Sequence, residues 1–354
     1  MDLGVFLPIT NNGWIISHAS PQYAPTFHLN RDITQHAEQL GFEFAFSMVK
    51  WRGFGGTFGF WDQALESLTL MAGLAPVTSR IRLIGSTQPL ALHPAIAARM
   101  GATIDDISGG RFGLNLVGGS YRGEYAQMGL WPGDSYYHER YDHLEEWTAI
   151  VKDLWEHGVS NHAGRYYTLD DCRLEPRPVQ RPHPPLISAG LSDRGLEFAT
   201  RHADASFVVG LDLDETQTVA ARVRELAEAA GRSVRCYAVF TVIAAATDQE
   251  AEDRLRHFDD NADAETLAKI GRSREPAESA GTIRAVRQMV ARGSSVFTPT
   301  LVGCAATLAD RITWLDRETA LDGIMLTFPD WYRDLRSFGE DVVPRLRACG
   351  VLRA

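Results

Sequence analysis

Uncharged hydrogen-bonding groups collect where short apolar runs of this chain end. Ser47, Met48, Val49 and Lys50 close one run, and Ser86 and Thr87 close another. Asn115 lies inside a third, just ahead of Gly118 and Gly119, and Ser188-Ala189-Gly190 closes a fourth. No carboxylate pair suits glycoside chemistry. No His/Asp/Glu cluster has metal-ligand spacing, and no GxSxG elbow is present. Hydroxyls, one amide and glycines instead suit a bound organic cofactor that carries the hard chemistry itself. Asn115 and Ser86 are the candidate catalytic hydrogen-bonding groups, and no metal is expected.

Ala189-Gly190-Leu191-Ser192 reads as a strand-to-helix turn, with Ser192 as the cap. Backbone N–H groups at such a helix start bind phosphate well, although an ordinary capped βα loop has the same appearance. Arg140 and Tyr141 open a helix and could add a cation and a hydroxyl to the same phosphate. The plain alternative is an exposed arginine and a packed tyrosine. Trp14, Trp51, Phe54, Trp61, Tyr121 and Tyr136 fall in or near loops. Most aromatics are core, but Trp51–Gly59 and Gly118–Gly123 are too glycine-rich to form much core. Their rings could wall a pocket for a flat ligand. His18 and His93 are candidate acid–base groups; His93 precedes Pro94 and reads equally well as a helix cap.

The elements that position these residues alternate along the chain. Strand candidates are Leu3–Leu7, Phe44–Val49, Ile81–Ser86, Phe112–Val117, Leu186–Ala189, Ala205–Val209, Tyr237–Ala244 and Gly323–Phe328. They are mostly continuous apolar runs, as expected for parallel strands covered on both faces. Helical patterns occupy Asn30–Leu40, Trp61–Leu74, Arg140–Trp155, Thr216–Ala230 and Ala306–Trp314. Eight strands with interleaved helices predict an α/β chain folded as a (β/α)8 TIM barrel, with active residues at the C-terminal strand ends. The expectation is one domain over residues 1–354, with insertions at about 118–137 and 248–295. The segment Glu175–Pro185, with five prolines, is an extended approach to the next strand.

Composition is consistent with this. The 354 residues are 45% hydrophobic and 23% charged, ordinary for a globular chain. A net charge of −10 without a basic run argues against nucleic acid and anionic membrane surfaces as partners. The four cysteines are widely spaced with no CxxC pair, which reads as reduced thiols. With no signal-like start and no membrane-length apolar segment, a cytoplasmic location is expected.

Two groups of motifs carry a family resemblance. Thr78–Gly119, Gly164-Arg165-Tyr166-Tyr167 and the following EPRPVQRPHPPLISAGLS resemble the bacterial-luciferase-like flavin oxygenases. GVFLPITNNGWIIS, SPQYAPTF, SMVKWRGFGG, YAQMGLWPGD, RYDHL and DDCRLEPRP resemble, over nearly the whole chain, the pyrimidine (uracil) monooxygenases of the Rut pathway. That resemblance implies FMN, supplied reduced by a separate NAD(P)H-dependent flavin reductase, with O2 as co-substrate. It implies FMN contacts at Val49, Lys50, Asn115, Glu124, Arg140, Tyr141 and Ser192, with Ser86 and Asn115 lining the O2 and substrate side. Ser86 keeps the hydroxyl of the threonine typical there. A homo-oligomer is also expected.

The chain departs from that pattern after Asn115. The pyrimidine enzymes typically carry Thr-Gly-Trp-Gln, whereas this chain has Gly118-Gly119-Ser120-Tyr121. Loss of the indole at Ser120 predicts more room beside the flavin. Thr87, Gln88, Ser120, Tyr121 and Trp14 are the candidate substrate residues, and Gln88 could hydrogen-bond an imide edge. The expectation is a pyrimidinedione-containing heterocycle larger than uracil, with riboflavin as the leading candidate and lumichrome and ribose as products, as in riboflavin lyase. Uracil ring opening is the alternative, and a deazaflavin-dependent dehydrogenase is a further one.

Overall fold

The computed structural model describes residues 1–119, 121–271, 291 and 293–352. Ser120 and residues 272–290 of the second insertion therefore lie outside the described residues. The strands are β1 (Asp2–Phe6), β2 (Phe44–Phe46), β3 (Arg82–Thr87), β4 (Phe112–Leu116), β5 (Val159–Ser160), β6 (Cys172–Arg173), β7 (Leu186–Ser188), β8 (Ala205–Val208), β9 (Arg235–Ala244), β10 (Thr300–Gly303) and β11 (Gly323–Thr327). Eight of them close a parallel ring in the order β9-β11-β1-β2-β3-β4-β7-β8, with β8 pairing back onto β9. This is the (β/α)8 barrel expected, built from the eight predicted runs. Strand β10 lies parallel to the C-terminal half of β9, from Thr241 to Ala244. Strands β5 and β6 form a separate antiparallel ribbon.

Helices cover the ring because each buries one apolar stripe on it. The helix Phe27–Leu40 is capped by Thr26 and ends at Gly41, whose φ of 88° is the left-handed conformation glycine adopts freely. The helix Tyr136–His157 packs along Pro94–Ser108. Two indoles pin the pair: Trp147 Nε1 donates to Leu92 O and Trp155 Nε1 to Ala98 O, both at 2.8 Å. That packing fixes the N-terminal half of the longer helix, whose second turn carries Arg140 and Tyr141.

Several predicted boundaries shift by up to four residues, among them the start of the helix expected at Arg140, which begins at Tyr136, and one shifts further. The helix expected from Trp61 starts at Ser67 instead. Trp61 has a φ of 62°, which no helix interior accommodates, and Glu66 is the cap, accepting from Leu68 N and Thr69 N. All four cysteines are free thiols. Among the described residues no helix is long and apolar enough to cross a membrane.

Candidate active site

A cleft of about 1390 Å³, counting its open mouth, lies over the C-terminal strand ends. Trp14, Val49, Lys50, Gln88, Asn115, Tyr121, Glu124, Arg140, Tyr141 and Gly190 all line it. Ser86 and Thr87 are buried and do not line it, Ser192 is half-buried beside it next to Leu191, which does, and Ser120 is outside the described residues. His18 is exposed, edge-on to Phe58. His93 caps the helix Pro94–Ser108 by accepting from Ala95 N at 3.3 Å. Neither histidine reaches the cleft.

Asn115 is held by a relay of hydroxyls. Its Nδ2 donates to Ser86 Oγ at 2.9 Å, and Ser86 Oγ donates to the Ser47 carbonyl at 2.5 Å. Ser67 Oγ accepts from Ser86 N at 2.8 Å and is bonded to Ser47 Oγ. Ser86 Oγ gives its one proton to the Ser47 carbonyl and can only accept from Asn115, so the amide cannot turn over without breaking the series. Among the described residues Asn115 Oδ1 has no partner, although it is buried. It is an acceptor without a donor, and Asn115 lines the cleft. Ser86 therefore orients Asn115 from beneath.

Charge enters from the loops. Lys50 Nζ pairs with Glu124 Oε1 at 3.0 Å, with side chains only 9% and 4% exposed. The ammonium also sits 4.5 Å from the Phe54 ring centroid and 4.7 Å from that of Tyr121, favourable cation–π geometry. Glu124 Oε1 accepts Trp51 N at 3.1 Å. The Trp51 indole donates to Gln88 Oε1 at 2.9 Å. Because an indole N–H can only donate, Gln88 must turn its oxygen toward Trp51 and keep its NH2 for a ligand.

The far end of the cleft is shaped for an anion. Arg140 is buried, donates to Tyr137 O and lies 4.8 Å over the Tyr141 ring. Among the described residues no carboxylate pairs with it. A buried guanidinium without a counter-charge is costly unless a ligand supplies one. Beside it the turn after β7 approaches the helix Asp193–His202 closely. A Cβ on Gly190 would meet Gly195 Cα at 2.7 Å and Tyr141 Oη at 2.8 Å. Ser192 caps that helix, accepting from Gly195 N at 3.2 Å, and its hydroxyl lies 3.5 Å from Tyr141 Oη. The opposite end is walled by Phe6, Trp14, Phe46, Trp61, Phe207 and Phe297. The Trp14 indole nitrogen there is buried without a partner among the described residues. The cleft thus joins an anion seat to a flat apolar chamber carrying a few directed polar groups, the form expected of a cofactor site.

Phe6, Phe46, Phe207, Ile270, Phe297 and Thr298 are wall residues that the sequence reading did not single out. The first three lie on strands whose unbroken apolar character hides which face turns inward. Ile270 lies within the second insertion and Phe297 just after it, so that part of the chain borders the cleft.

Comparison with known proteins agrees with this architecture. Residues 1–319 match the luciferase-like monooxygenase family. The chain belongs to that family and is a flavin-dependent monooxygenase. It is 46% identical to the pyrimidine monooxygenase RutA of Cronobacter turicensis, over 100% of this chain and 94% of that one. It is 45% identical to RutA of Caulobacter vibrioides, over 98% and 99%. Among solved structures, riboflavin lyase in complex with modified FMN and riboflavin superposes with a TM-score of 0.87 at 23% identity, covering 100% of this chain and 92% of that one. A long-chain alkane monooxygenase superposes at 0.83 and 20% identity, with the same coverage. At those identities the structural likeness speaks to fold. The riboflavin expectation therefore has weaker support than its pyrimidine alternative, which rests on twice the identity.

Proposed function

We propose that this chain is a reduced-FMN- and O2-dependent pyrimidine monooxygenase that opens a uracil-type ring. The observation that carries the reading is the pair of polar groups in the cleft. Among the described residues Asn115 Oδ1 is an unpartnered acceptor, and Gln88, its oxygen turned to Trp51, keeps its NH2 donors for a ligand. Together they complement an –NH–C=O edge. Near-full-length identity of 46% to a pyrimidine monooxygenase supports the same choice. Arg140, Tyr141, Gly190 and Ser192 would hold the FMN phosphate, and Val49, Lys50, Glu124 and Asn115 would border its ring. When bound, reduced FMN supplies the electrons that activate O2. The protein's own work is to orient the ring edge, exclude water with the aromatic wall, and keep Asn115 in one orientation.

The same edge occurs in riboflavin, and the change from Trp to Ser120 favours a larger ligand, so riboflavin cleavage is the second reading. Reduced FMN would come from a separate NAD(P)H-dependent flavin reductase in the cytoplasm. The test supplies the enzyme with chemically reduced FMN, then air, with uracil or riboflavin, and reads products by mass spectrometry. A ring-opened ureidoacrylate from uracil is expected. Lumichrome from riboflavin with uracil untouched would overturn the pyrimidine reading in favour of the second.

A further inference from the structure

The barrel interior is open at both ends. TIM-barrel cores are normally filled by stacked layers of branched side chains. Here a second cavity of about 800 Å³, counting its open mouth, occupies the N-terminal end, on the side away from the cleft. Glycines stand at two inward positions of the ring. The place of a Cβ on Gly4 is taken by the Phe44 ring, 2.2 Å away, and that on Gly113 by Ile84 Cδ1, 2.6 Å away. At both points a side chain of the neighbouring strand fills the room beside the glycine, and Phe44 and Ile84 also line the cavity.

The chemistry of this lower cavity is uneven. Its walls include Ile84, Phe112, Ile187, Ala205 and Met325. Its charged groups are at the rim, where Asp2 is already committed to Arg235 at 2.8 Å and to Tyr237 Oη at 3.1 Å. With Glu43, Arg82, Asp204 and Arg235 also confined to that rim, the apolar walls deeper in resemble those of cavities that take up small apolar guests. Its ceiling is the floor of the cleft, because Phe46 and Phe207 line both cavities. With Phe6 they form a triangle of rings with centroids 5.1, 5.3 and 5.8 Å apart. Only side chains, with no strand or hydrogen-bond ladder, separate the two spaces. Rocking rings can pass a diatomic molecule but not a pyrimidine.

We propose that the lower cavity is an O2 reservoir and passage, delivering O2 to the cleft through Phe46 and Phe207 while cofactor and substrate fill the upper mouth. A monooxygenase must admit a small apolar gas to a chamber from which water is excluded, and this route does so without reopening the loops. The proposal rests on the reading that places FMN in the cleft.

The test mixes the full-length enzyme, loaded with reduced FMN under anaerobic conditions, with buffers of graded O2 in a stopped-flow instrument. The second-order rate constant of flavin oxidation is read for wild type, Ala205→Leu and Met325→Phe, which fill the lower cavity away from the cleft. The constant is expected to fall about fivefold, an added barrier of about 1 kcal/mol, with the affinities for FMN and uracil unchanged. Unchanged constants in folded variants would overturn the passage. Xenon-pressurised crystals of the wild type give an independent answer. Xenon bound among Ile84, Phe112 and Met325 supports the proposal, and an empty cavity overturns it. The readout is flavin oxidation, not product. Slowed oxidation in the variants of an enzyme that leaves uracil intact therefore sinks the substrate reading and keeps the passage.

Discussion

The cleft has two polar walls held by opposite means. On the strand side, Asn115, Ser86, Ser47 and Ser67 are neutral, buried and bonded in series to one another and to backbone. On the loop side, Lys50, Glu124, Trp51 and Gln88 are held by one ion pair and by bonds between segments far apart in sequence. The strand wall gains its order from the barrel, whose register Ser86↔Asn115 sets those two side chains beside each other. The loop wall must make its own order from charge. The loop wall should therefore be the more damaging to break and the freer to vary between relatives with different substrates. Gly118, Gly119 and Tyr121, three of the positions where this chain departs from the pyrimidine pattern, line the cleft.

Removing one charge from the loop wall is the strongest way to test this contrast. Glu124→Ala leaves Lys50 buried without its partner, a loss of about 3–5 kcal/mol for a broken buried pair. Denaturant unfolding of the apoenzyme should show it as a lower midpoint at unchanged slope. The double variant Lys50→Met/Glu124→Leu should recover most of the loss, since apolar replacement of both partners is often neutral. A double variant as unstable as the single one would mean that the pair is not what holds the loop.

Arg140 sits on neither wall and probes the anion seat by itself. Arg140→Met should weaken FMN binding by about 1.5–3 kcal/mol, the range for a hydrogen bond to a charged group. It should leave riboflavin, which lacks the phosphate, bound as before. Titration of both flavins by fluorescence quenching measures this. Equal weakening of the two would place the phosphate elsewhere.

The strand wall should give the subtler result. Ser86→Ala strands Asn115 Nδ2 without an acceptor, at about 1–3 kcal/mol for an unsatisfied buried group. Free rotation of the amide should then lower kcat more than it raises KM for the pyrimidine. Ser86→Thr keeps the hydroxyl and should restore both constants. A fall in stability with kcat intact would make the relay purely structural.

Legibility followed the same division. The eight barrel strands were readable because parallel strands buried on both faces leave unbroken apolar runs, and the strand-end residues Ser86 and Asn115 followed from them. That same lack of alternation concealed Phe6, Phe46 and Phe207, since nothing in such a run marks the inward face. Ser86 read as a lining group because sequence places it at a strand end, whereas its hydroxyl is spent beneath Asn115. The helix start at Trp61 was misjudged because apolar spacing carries no information about a positive φ. Loop partners were hardest to foresee. Lys50 and Glu124 are 74 residues apart and Trp51 and Gln88 37, so no local pattern joins them, and only the family resemblance brought Lys50 and Glu124 together.

The smallest effect concerns pH, and it separates stability from the strand wall's role. Ser, Asn and Gln side chains do not titrate, so Asn115 and its relay impose no pH dependence of their own. His202, at the far end of the helix capped by Ser192, does titrate. Burial, and then the Lys152, Arg232 and Arg201 cations, push it down to about 4, and the Glu145 carboxylate 3.8 Å away does not reverse the direction. An unfolded histidine titrates near about 6.5. Between those values the unfolded chain holds a proton that the folded chain does not, so stability falls as pH drops from about 6.5 toward 4 and is flat above. The side chain is about one-third exposed, which screens the effect and keeps it modest. Thermal midpoints across that window should slope for wild type and flatten for His202→Gln, with kcat at neutral pH the same in both. A kcat that tracks His202 would tie the cleft's chemistry to the helix behind Ser192 and remove the contrast between a wired strand wall and the rest of the site.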